Sequence, residues 1–214
     1  MCVLTKKDRV REIIVIFNEL YPDAACSLDY KDPLQLMVST QLAAQCTDAR
    51  VNIVTRDLFK KYLNVSDFAN ADLNELEQDI KSTGFYHNKA RNIINACKII
   101  ISDFEGRMPY EMSDLLKLPG VGRKTANLVL GDAFGIPGIV VDTHAKRLSK
   151  RIGLTENDDP KKIEYDLMKV VPEESWSLFC HQLVYYGRAV CNARKPACGN
   201  CSIRSFCKYG NILV

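Results

Sequence analysis

Long apolar runs are missing from this sequence of 214 residues. No segment approaches the roughly 18 consecutive apolar residues of a membrane helix, and the N-terminus lacks the apolar stretch of a secretory signal peptide. We therefore expect an intracellular protein, located in the cytoplasm and without a membrane partner. In that reducing compartment the nine cysteines are not expected to form a disulfide framework. Five of them are scattered and are expected to be small buried apolar residues: Cys2, Cys26, Cys46, Cys97 and Cys180.

Sustained alternation of apolar and polar residues, the pattern of a half-buried strand, is also missing. The nearest strand candidate is the short apolar stretch 139–141. Elsewhere apolar residues recur at helical spacing between capping residues, prolines and glycines, so the sequence predicts an all-α fold of about ten short helices. The predicted helices are one that ends before Pro22, then 33–45, 48–62 with Asp48 as its cap, 72–84, 89–104, 113–118, 123–134 and 143–152, and two that start at 160 and 172.

Acidic residues are absent after Gly187, where four cysteines follow in a C-x6-C-x2-C-x5-C pattern. Four thiols this close in sequence are typical of one metal centre, and the charges of the same segment are all positive. We infer a metal-held cationic loop that binds an anion, most simply a nucleic-acid backbone. The cysteines are Cys191, Cys198, Cys201 and Cys207, and the cations are Arg188, Arg194, Lys195, Arg204 and Lys208.

Zinc is the alternative occupant of this four-cysteine pattern. Zinc sites commonly pair two short C-x2–4-C units, and only 198–201 is such a pair here. Spacers of six and five residues fit an iron–sulfur cluster better.

Residues 118–126, with the sequence Leu-Pro-Gly-Val-Gly-Arg-Lys-Thr-Ala, lie between two predicted helices. The net charge of the whole chain is only +3, so positive charge is a local feature. Gly120 and Gly122 permit a tight turn, and the next helix begins with amide N–H groups that have no partner inside it. Such amides at the positive end of a helix dipole bind phosphate without reading sequence. A plain corner between two helices is the alternative. Arg123 and Lys124 favour the phosphate site, because cations are otherwise unfavourable at that end of a helix.

Lys124 and Asp142 are the candidate catalytic residues. An unprotonated amine can attack a sugar C1′ or a carbonyl-like carbon and form a Schiff base. The simpler role of Lys124 is a phosphate contact. Burial near other cations, such as Arg123, would favour the unprotonated amine. Asp142 precedes a predicted helix, so it is expected to act as an N-cap. A capped carboxylate remains ionised and oriented, which also allows it to take a proton or to stabilise positive charge on a sugar ring.

Three motifs, in this order and spacing, resemble the endonuclease III family of helix–hairpin–helix DNA glycosylases: residues 118–126, residues 141–144 and the four-cysteine pattern. The resemblance covers nearly the whole chain and includes residues 45–48 and 84–90. It implies two helical domains with a DNA cleft between them. A six-helix domain would span about 25–136, and an iron–sulfur domain would combine 1–24 with 137–214.

The activity that this resemblance implies is that of a bifunctional base-excision-repair enzyme. Such an enzyme removes oxidised pyrimidines and then cuts the strand 3′ of the abasic site by β-elimination. Lys124 matches the nucleophile that attacks C1′, and Asp142 matches the aspartate that assists the attack and supports charge on the sugar. The four cysteines match the ligands of a [4Fe-4S] cluster. We expect a monomer whose partner is double-stranded DNA with damaged bases or abasic sites, associated with the nucleoid in a prokaryote.

DNA contacts are also implied by the resemblance. Gln45 matches a residue that fills the space left by the flipped base, and the turn 85–87 matches a loop inserted near the opposite strand. Extrusion of a base costs unstacking energy, so a plug and a wedge are physically needed. The expected DNA-binding residues are Gln45, Thr47, Asp48, Phe85, Tyr86, His87, Gly120, Val121, Gly122, Arg123, Thr143, His144, Arg194 and Lys195.

The sequence departs from the family pattern at three positions. Phe85 stands where the family usually has a smaller aliphatic residue, Tyr186 replaces a common histidine, and Gln41 is an extra glutamine. Adenine glycosylases and mismatch thymine glycosylases are related alternatives, and both usually lack the lysine that this chain has at 124. A catalytically inactive DNA-binding protein with a zinc-stabilised end is the alternative from a different class.

Overall fold

The computed structural model describes residues 4–212. Within these residues the chain is helical and contains no β-strand, which confirms the all-α prediction, and residues 139–141 run without regular structure. No helix of this part of the chain is both long enough and apolar enough to cross a membrane. The α-helices are α1 (Lys6–Leu20), α2 (Pro33–Leu42), α3 (Asp48–Lys61), α4 (Val65–Ala69), α5 (Leu73–Ile80), α6 (Tyr86–Phe104), α7 (Met112–Leu115), α8 (Arg123–Ala133), α9 (Thr143–Ile152), α10 (Pro160–Met168), α11 (Trp176–Ala189) and α12 (Lys208–Ile212), with 3₁₀ turns at Lys81–Thr83, Glu173–Ser175, Cys198–Asn200 and Arg204–Phe206.

Polar side chains fix the start of several helices. Asp32 and Asp72 each accept a hydrogen bond from the backbone N–H three residues ahead, at 2.8 and 2.9 Å. The prediction that Asp48 caps α3 is wrong, because the Thr47 hydroxyl accepts the capping bond one residue earlier. Asp48 is the first residue of α3, and its carboxylate accepts a hydrogen bond from the Ser27 hydroxyl.

Two helix boundaries differ from the prediction because the backbone enters the left-handed region. Helix α2 ends at Leu42 rather than at 45, and Gln45 in the following turn has φ 55°. Helix α6 begins at Tyr86 rather than at 89, directly after Phe85 with φ 49°. Left-handed backbone is uncommon in residues other than glycine, and helical periodicity gives no sign of it. The short helix α4 is also absent from the predicted set.

The chain divides into two compact units, which we call the hairpin unit (Cys26–Ile136) and the cysteine unit (Met1–Ala25 with Pro137–Val214). In the hairpin unit the 19-residue helix α6 packs against α2, α4 and α5, and α2 also packs against α8. Ile93, Cys97 and Ile100 form the fully buried face of α6.

The cysteine unit has its own apolar core beneath α1, α9 and α11. Phe17 of α1 lies 5.9 Å from Phe179 and 5.0 Å from Tyr186, measured between ring centroids. Tyr186 is fully buried in this core, although it carries a hydroxyl group. Helix α9, which carries Thr143 and His144, packs into the same core through Ala145, Leu148 and Ile152.

The scattered cysteines behave only partly as expected. Cys97 and Cys180 are buried, as the sequence predicts. Cys26 and Cys46 are only partly buried, because they lie in the turns that precede α2 and α3 rather than within a helix. Cys2 lies outside the described residues.

Candidate nucleic-acid interface and catalytic residues

The hairpin between α7 and α8 closes through a single tight turn. The Val121 N–H donates to the Leu118 carbonyl at 3.0 Å, and Gly120 has φ 77°. A Cβ atom on Gly120 would lie 2.5 Å from Oε1 of Gln41 and 3.0 Å from Cβ of Asn92. Only glycine therefore fits at this position, both because of its backbone angle and because α2 and α6 lie directly against it.

The first turn of α8 offers backbone amides to an anion. Gly122 is the N-cap of this 11-residue helix, and within the described chain no side chain caps it. Uncapped N–H groups and the helix dipole together favour a bound phosphate. Arg123 is partly buried, whereas Lys124 is exposed. The burial near cations that the nucleophile interpretation expects is therefore not found at Lys124.

Charged groups of both signs lie near Cys26. The pKa of the Cys26 thiol is raised to about 11, mainly by burial and further by the carboxylates of Asp132 and Asp48, whereas the Lys124 ammonium lowers it. The Lys124 amine and the two carboxylates thus lie within electrostatic reach of the Cys26 thiol on the hairpin unit. Sequence reasoning did not find this grouping, because the four residues are spread over more than 100 positions of the chain.

Two exposed turns border the hairpin. The turn after α2 carries Gln45, and the turn before α6 carries Phe85, whose surface is 63% exposed. Both residues line one open cavity of about 650 Å³, together with Gln41 and Gly120. The Gln41 side-chain amide is buried at the wall of this cavity, and it has no hydrogen-bond partner within the described residues. The structure thus brings the expected plug, the expected wedge and the hairpin turn around one opening.

The other residues of the second turn are more strongly held than Phe85. The rings of Tyr86 and His87 lie 4.1 Å apart between centroids. His87 also contacts the carboxylate of Glu77 through Nδ1. Phe85 is therefore the side chain of this turn that is best placed to enter a duplex.

Asp142 caps α9, as the sequence predicts. Its Oδ1 accepts a hydrogen bond from the Ala145 N–H at 2.7 Å, and the side chain is partly buried. The cap fixes the orientation of the carboxylate at the start of the helix. Thr143, the first residue of α9, is exposed beside it.

Two arginines of α9 hold the backbone of the cysteine loop, which we define as residues 191–207. Arg147 donates to the carbonyls of Gly187 and Cys191, both at 3.0 Å, and its Nη2 lies 3.1 Å from Nδ1 of His144. Arg151 donates to the carbonyls of residues 192 and 193 at 2.7 Å. Helix α9 carries four Lys and Arg side chains, but the guanidinium groups of these two donate to carbonyl oxygens of the protein.

The four cysteines of the loop line one cavity of about 370 Å³, which includes space open to solvent. Arg151 Nη1 lies 3.3 Å from Sγ of Cys191, and the Tyr186 hydroxyl lies 3.1 Å from Sγ of Cys201. In the described residues no group of three or more His, Cys, Asp or Glu side chains is close enough to hold a single metal ion. Each thiolate of a four-iron cluster binds a different iron, so four thiols spread around one cavity fit such a cluster.

Arg194 and Lys195 are exposed at the tip of the cysteine loop. The loop backbone beneath them is held by the arginines of α9 through residues 191–193. A cation on a held loop contacts phosphate with less loss of conformational entropy than a cation on a free loop.

The expected site residues thus fall into two groups, one on each unit. Val121 is buried and its N–H closes the turn, and Thr47 caps α3, so both shape the backbone of the hairpin unit. Lys89 is a candidate functional residue that the sequence did not lead us to expect. The pattern that could have identified it is a charged residue at a position that continues the apolar face of α6. The hairpin unit carries Gln45, Thr47, Asp48, Phe85, Tyr86, His87, Gly120, Val121, Gly122, Arg123 and Lys124, and the cysteine unit carries Asp142, Thr143, His144, Cys191, Arg194, Lys195, Cys198, Cys201 and Cys207.

Comparison with known proteins adds a family assignment to this geometry. Residues 38–173 match the sequence profile of the HhH-GPD superfamily base excision DNA repair proteins. The chain is 54% identical to Endonuclease III of Synechocystis sp. over 204 residues, which cover 95% of this chain and 93% of that relative. It is 48% identical to Endonuclease III of Bacillus subtilis (strain 168) over 194 residues, with 90% and 89% covered.

Solved structures with a similar fold include complexes with DNA. A trapped endonuclease III–DNA covalent intermediate, in its estranged-adenine complex, has a TM-score of 0.91 and 44% identity, with 99% of both chains covered. A thermostable thymine-DNA glycosylase has a TM-score of 0.86 and 25% identity, with 95% of this chain and 97% of that chain covered.

Replacement of Gly120 tests the packing of the hairpin. Gly120→Ala should lower the free energy of unfolding by about 1–3 kcal/mol, because φ is positive and the new Cβ meets Gln41. It should also weaken binding to a DNA duplex, because the amides of α8 move with the turn. Urea denaturation and fluorescence anisotropy measure the two effects.

Gly122→Ala is the matched control, because nothing lies within 4 Å of its Cβ position. Its effect on stability should stay within about 1 kcal/mol. Gln41→Ala should recover part of the loss in Gly120→Ala, because it removes the nearest obstacle. Equal losses for the two glycines would show that the close approach of α2 does not constrain the turn.

Proposed function

The chain belongs to the endonuclease III family of base excision DNA repair proteins, and we propose that it removes oxidised pyrimidines from double-stranded DNA and then cuts the abasic strand. The observation that carries this proposal is Lys124, an exposed amine beside the uncapped amides of the hairpin helix α8. A lysine in that place is next to a backbone phosphate when DNA binds. It is therefore within reach of a deoxyribose that has been turned out of the duplex.

The reaction begins at the Lys124 amine. Its unprotonated form attacks C1′, the glycosidic bond breaks, and its electron pair leaves with the base, which takes up a proton. Ring opening of the sugar then gives an imine between Lys124 and C1′. Loss of a proton from C2′ and departure of the 3′ phosphate cut the strand, and water finally releases Lys124 from the imine.

Asp142 supports positive charge on the sugar during this attack. Its carboxylate is held by the Ala145 amide at 2.7 Å, so it does not have to be oriented at the moment of reaction. The same carboxylate can accept a proton from the attacking amine. One residue therefore serves both as the cap of α9 and as a catalytic group.

DNA is bound through the backbone amides of α8 and the exposed cations of the cysteine loop. These contacts are made to phosphates and are independent of sequence. Gln45 fills the space left by the extruded base, and Phe85 enters the duplex near the opposite strand. Through this binding the protein would associate with the nucleoid of a prokaryotic cell.

Cys191, Cys198, Cys201 and Cys207 are the proposed ligands of a [4Fe-4S] cluster. The support for this is one cavity with four thiols on its wall. When bound, the cluster would cross-link the cysteine loop through four iron–sulfur bonds. The loop would then present Arg194 and Lys195 to phosphate at fixed positions.

Removal of the amine tests the proposed nucleophile. Lys124→Ala should reduce both base release and strand cleavage by at least about 1,000-fold, because no other group is proposed to form the imine. Borohydride should trap a covalent adduct between wild-type protein and a duplex with an oxidised pyrimidine, and none with the variant. Lys60→Ala, which changes an exposed lysine paired with Asp57, is the control and should behave like wild type. If Lys124→Ala instead loses binding while bound DNA is still cut, then Lys124 is only a phosphate contact.

Two substitutions separate the cap of Asp142 from its chemistry. Asparagine also caps helices, so Asp142→Asn should keep the stability of the wild type within a few tenths of a kcal/mol, whereas Asp142→Ala should lose about 1 kcal/mol. Both variants should lose base-release activity by at least about 100-fold, because neither has a carboxylate. Thermal unfolding and single-turnover base release measure the two effects. Full activity in Asp142→Asn would mean that the residue is only a cap.

Metal analysis of the purified protein tests the cluster. Four iron and four inorganic sulfide per chain, with a brown colour, are expected from the cluster type. Cys198→Ser should lower the iron content and increase protease cleavage within the cysteine loop, which loses one of its four cross-links. A colourless protein with one zinc ion per chain would replace the cluster by a zinc site.

A further inference from the structure

Lys89 is a buried lysine whose role is not covered by the proposed reaction. It lies in the first turn of α6, and only 5% of its surface is exposed. Lysine is almost never buried unless it is paired, and no carboxylate pairs with Lys89 in the described residues. Burial lowers the pKa of Lys89 below its usual range. A charged group kept in such a place must form contacts that an apolar residue could not provide.

The contacts of Lys89 are two backbone carbonyls that are distant from each other in sequence. Its Nζ donates to the Leu42 carbonyl at 2.8 Å and to the Thr83 carbonyl at 2.9 Å. Leu42 is the last residue of α2, and Thr83 is the last residue of a 3₁₀ turn. The last carbonyl groups of a helix have no N–H donor within that helix. The one ammonium group of Lys89 therefore donates a hydrogen bond to a carbonyl at the end of each of two elements.

Each of these carbonyls lies at the base of an exposed left-handed turn. Gln45, with φ 55°, follows Leu42 by three residues, and Phe85, with φ 49°, follows Thr83 by two. They are two of the three non-glycine residues with positive φ in the described chain. Left-handed backbone at such residues persists only where the surrounding structure holds it. The backbone N–H of Lys89 also donates to the Phe85 carbonyl, at 3.2 Å.

We propose that Lys89 is a positioning residue that fixes the Gln45 turn and the Phe85 turn relative to each other, so that both side chains enter one site in the duplex together. The two turns line the same cavity, and Lys89 lies on the wall between them. This inference rests on the proposed function of Gln45 as plug and of Phe85 as wedge. A compact ammonium on a long stem suits the task, because it directs several donors from one point that lies between the two turns.

The proposal predicts that Lys89 acts on base extrusion through its neighbours and takes no part in the chemistry. Lys89→Met removes the donors and keeps most of the apolar stem. It should slow single-turnover base release by about 10- to 100-fold, because misplacement of the extruding groups by about 1 Å has an effect of that size. It should also reduce the fluorescence of 2-aminopurine placed next to the lesion, which reports unstacking. Strand cleavage at a preformed abasic site, where no base has to be released, should change by less than about threefold.

A double-mutant comparison separates positioning from general stabilisation. In a chain with Gln45→Ala and Phe85→Ala, the further change Lys89→Met should alter base release by less than about threefold, because the residues it positions are gone. Lys98→Met is the matched control, since Lys98 is an exposed lysine of the same helix. It should behave like wild type in every assay. An equal slowing by Lys89→Met in both backgrounds, or an equal slowing of cleavage at the abasic site, would overturn the proposal.

Circular dichroism and urea unfolding establish that the variants are folded. If Lys89→Met does not fold, the same comparisons are made with Lys89→Gln, whose amide can reach one carbonyl and should give an intermediate effect. Loss of folding in both variants would make Lys89 a structural core residue and would overturn the proposal. If the wild type unstacks 2-aminopurine and releases no base, the proposed function fails while the positioning proposal is still tested by fluorescence. If the wild type neither unstacks DNA nor releases a base, both fail.

Discussion

Gly120 allows α2 to lie directly against the hairpin turn, and the arrangement of the hairpin unit depends on this close approach. Because Gly120 has no Cβ, the side-chain amide of Gln41 on α2 reaches the turn. The residues that follow α2 line the same cavity as Gln41 and Gly120. The start of α8 is held there as well, since Gly120 and its neighbours lead into that helix. The proposed phosphate-binding end of α8 and the turn proposed to enter the duplex are thus placed by one contact between backbone and side chain.

The cysteine unit reaches a similar result by polar contacts. Arg147 and Arg151 project from α9 onto carbonyls of the cysteine loop, while Asp142 begins the same helix. The helix that carries the candidate carboxylate is therefore joined to the loop that carries the candidate phosphate contacts. The proposed cluster ligands and Asp142 are therefore connected through one helix, the ten residues of α9.

How much of this could be predicted from sequence depended on whether the signal was local. Helix α9 was predicted with both of its ends, because Asp142 and Gly153 mark them within the chain itself. The left-handed backbone at Gln45 and Phe85 was not predicted, because it depends on distant contacts: Lys89, which contacts the base of the first turn, lies 47 residues from Leu42. The positive charge of α9 is visible in its sequence, but no pattern in a sequence says that Arg147 and Arg151 point to carbonyl oxygens.

Arg147 and Arg151 donate hydrogen bonds to backbone carbonyl oxygens, and this changes how DNA binding is expected to respond to ionic strength. Each cation that neutralises a phosphate releases counterions from DNA, and the number released sets how steeply affinity falls as salt rises. Guanidinium groups that already donate to the protein backbone have fewer N–H groups left for a phosphate, so we expect them to release fewer counterions. The affinity for DNA should therefore fall less steeply with salt concentration than the number of basic residues around α9 indicates. The protein should then remain bound to DNA over a wider range of salt concentrations.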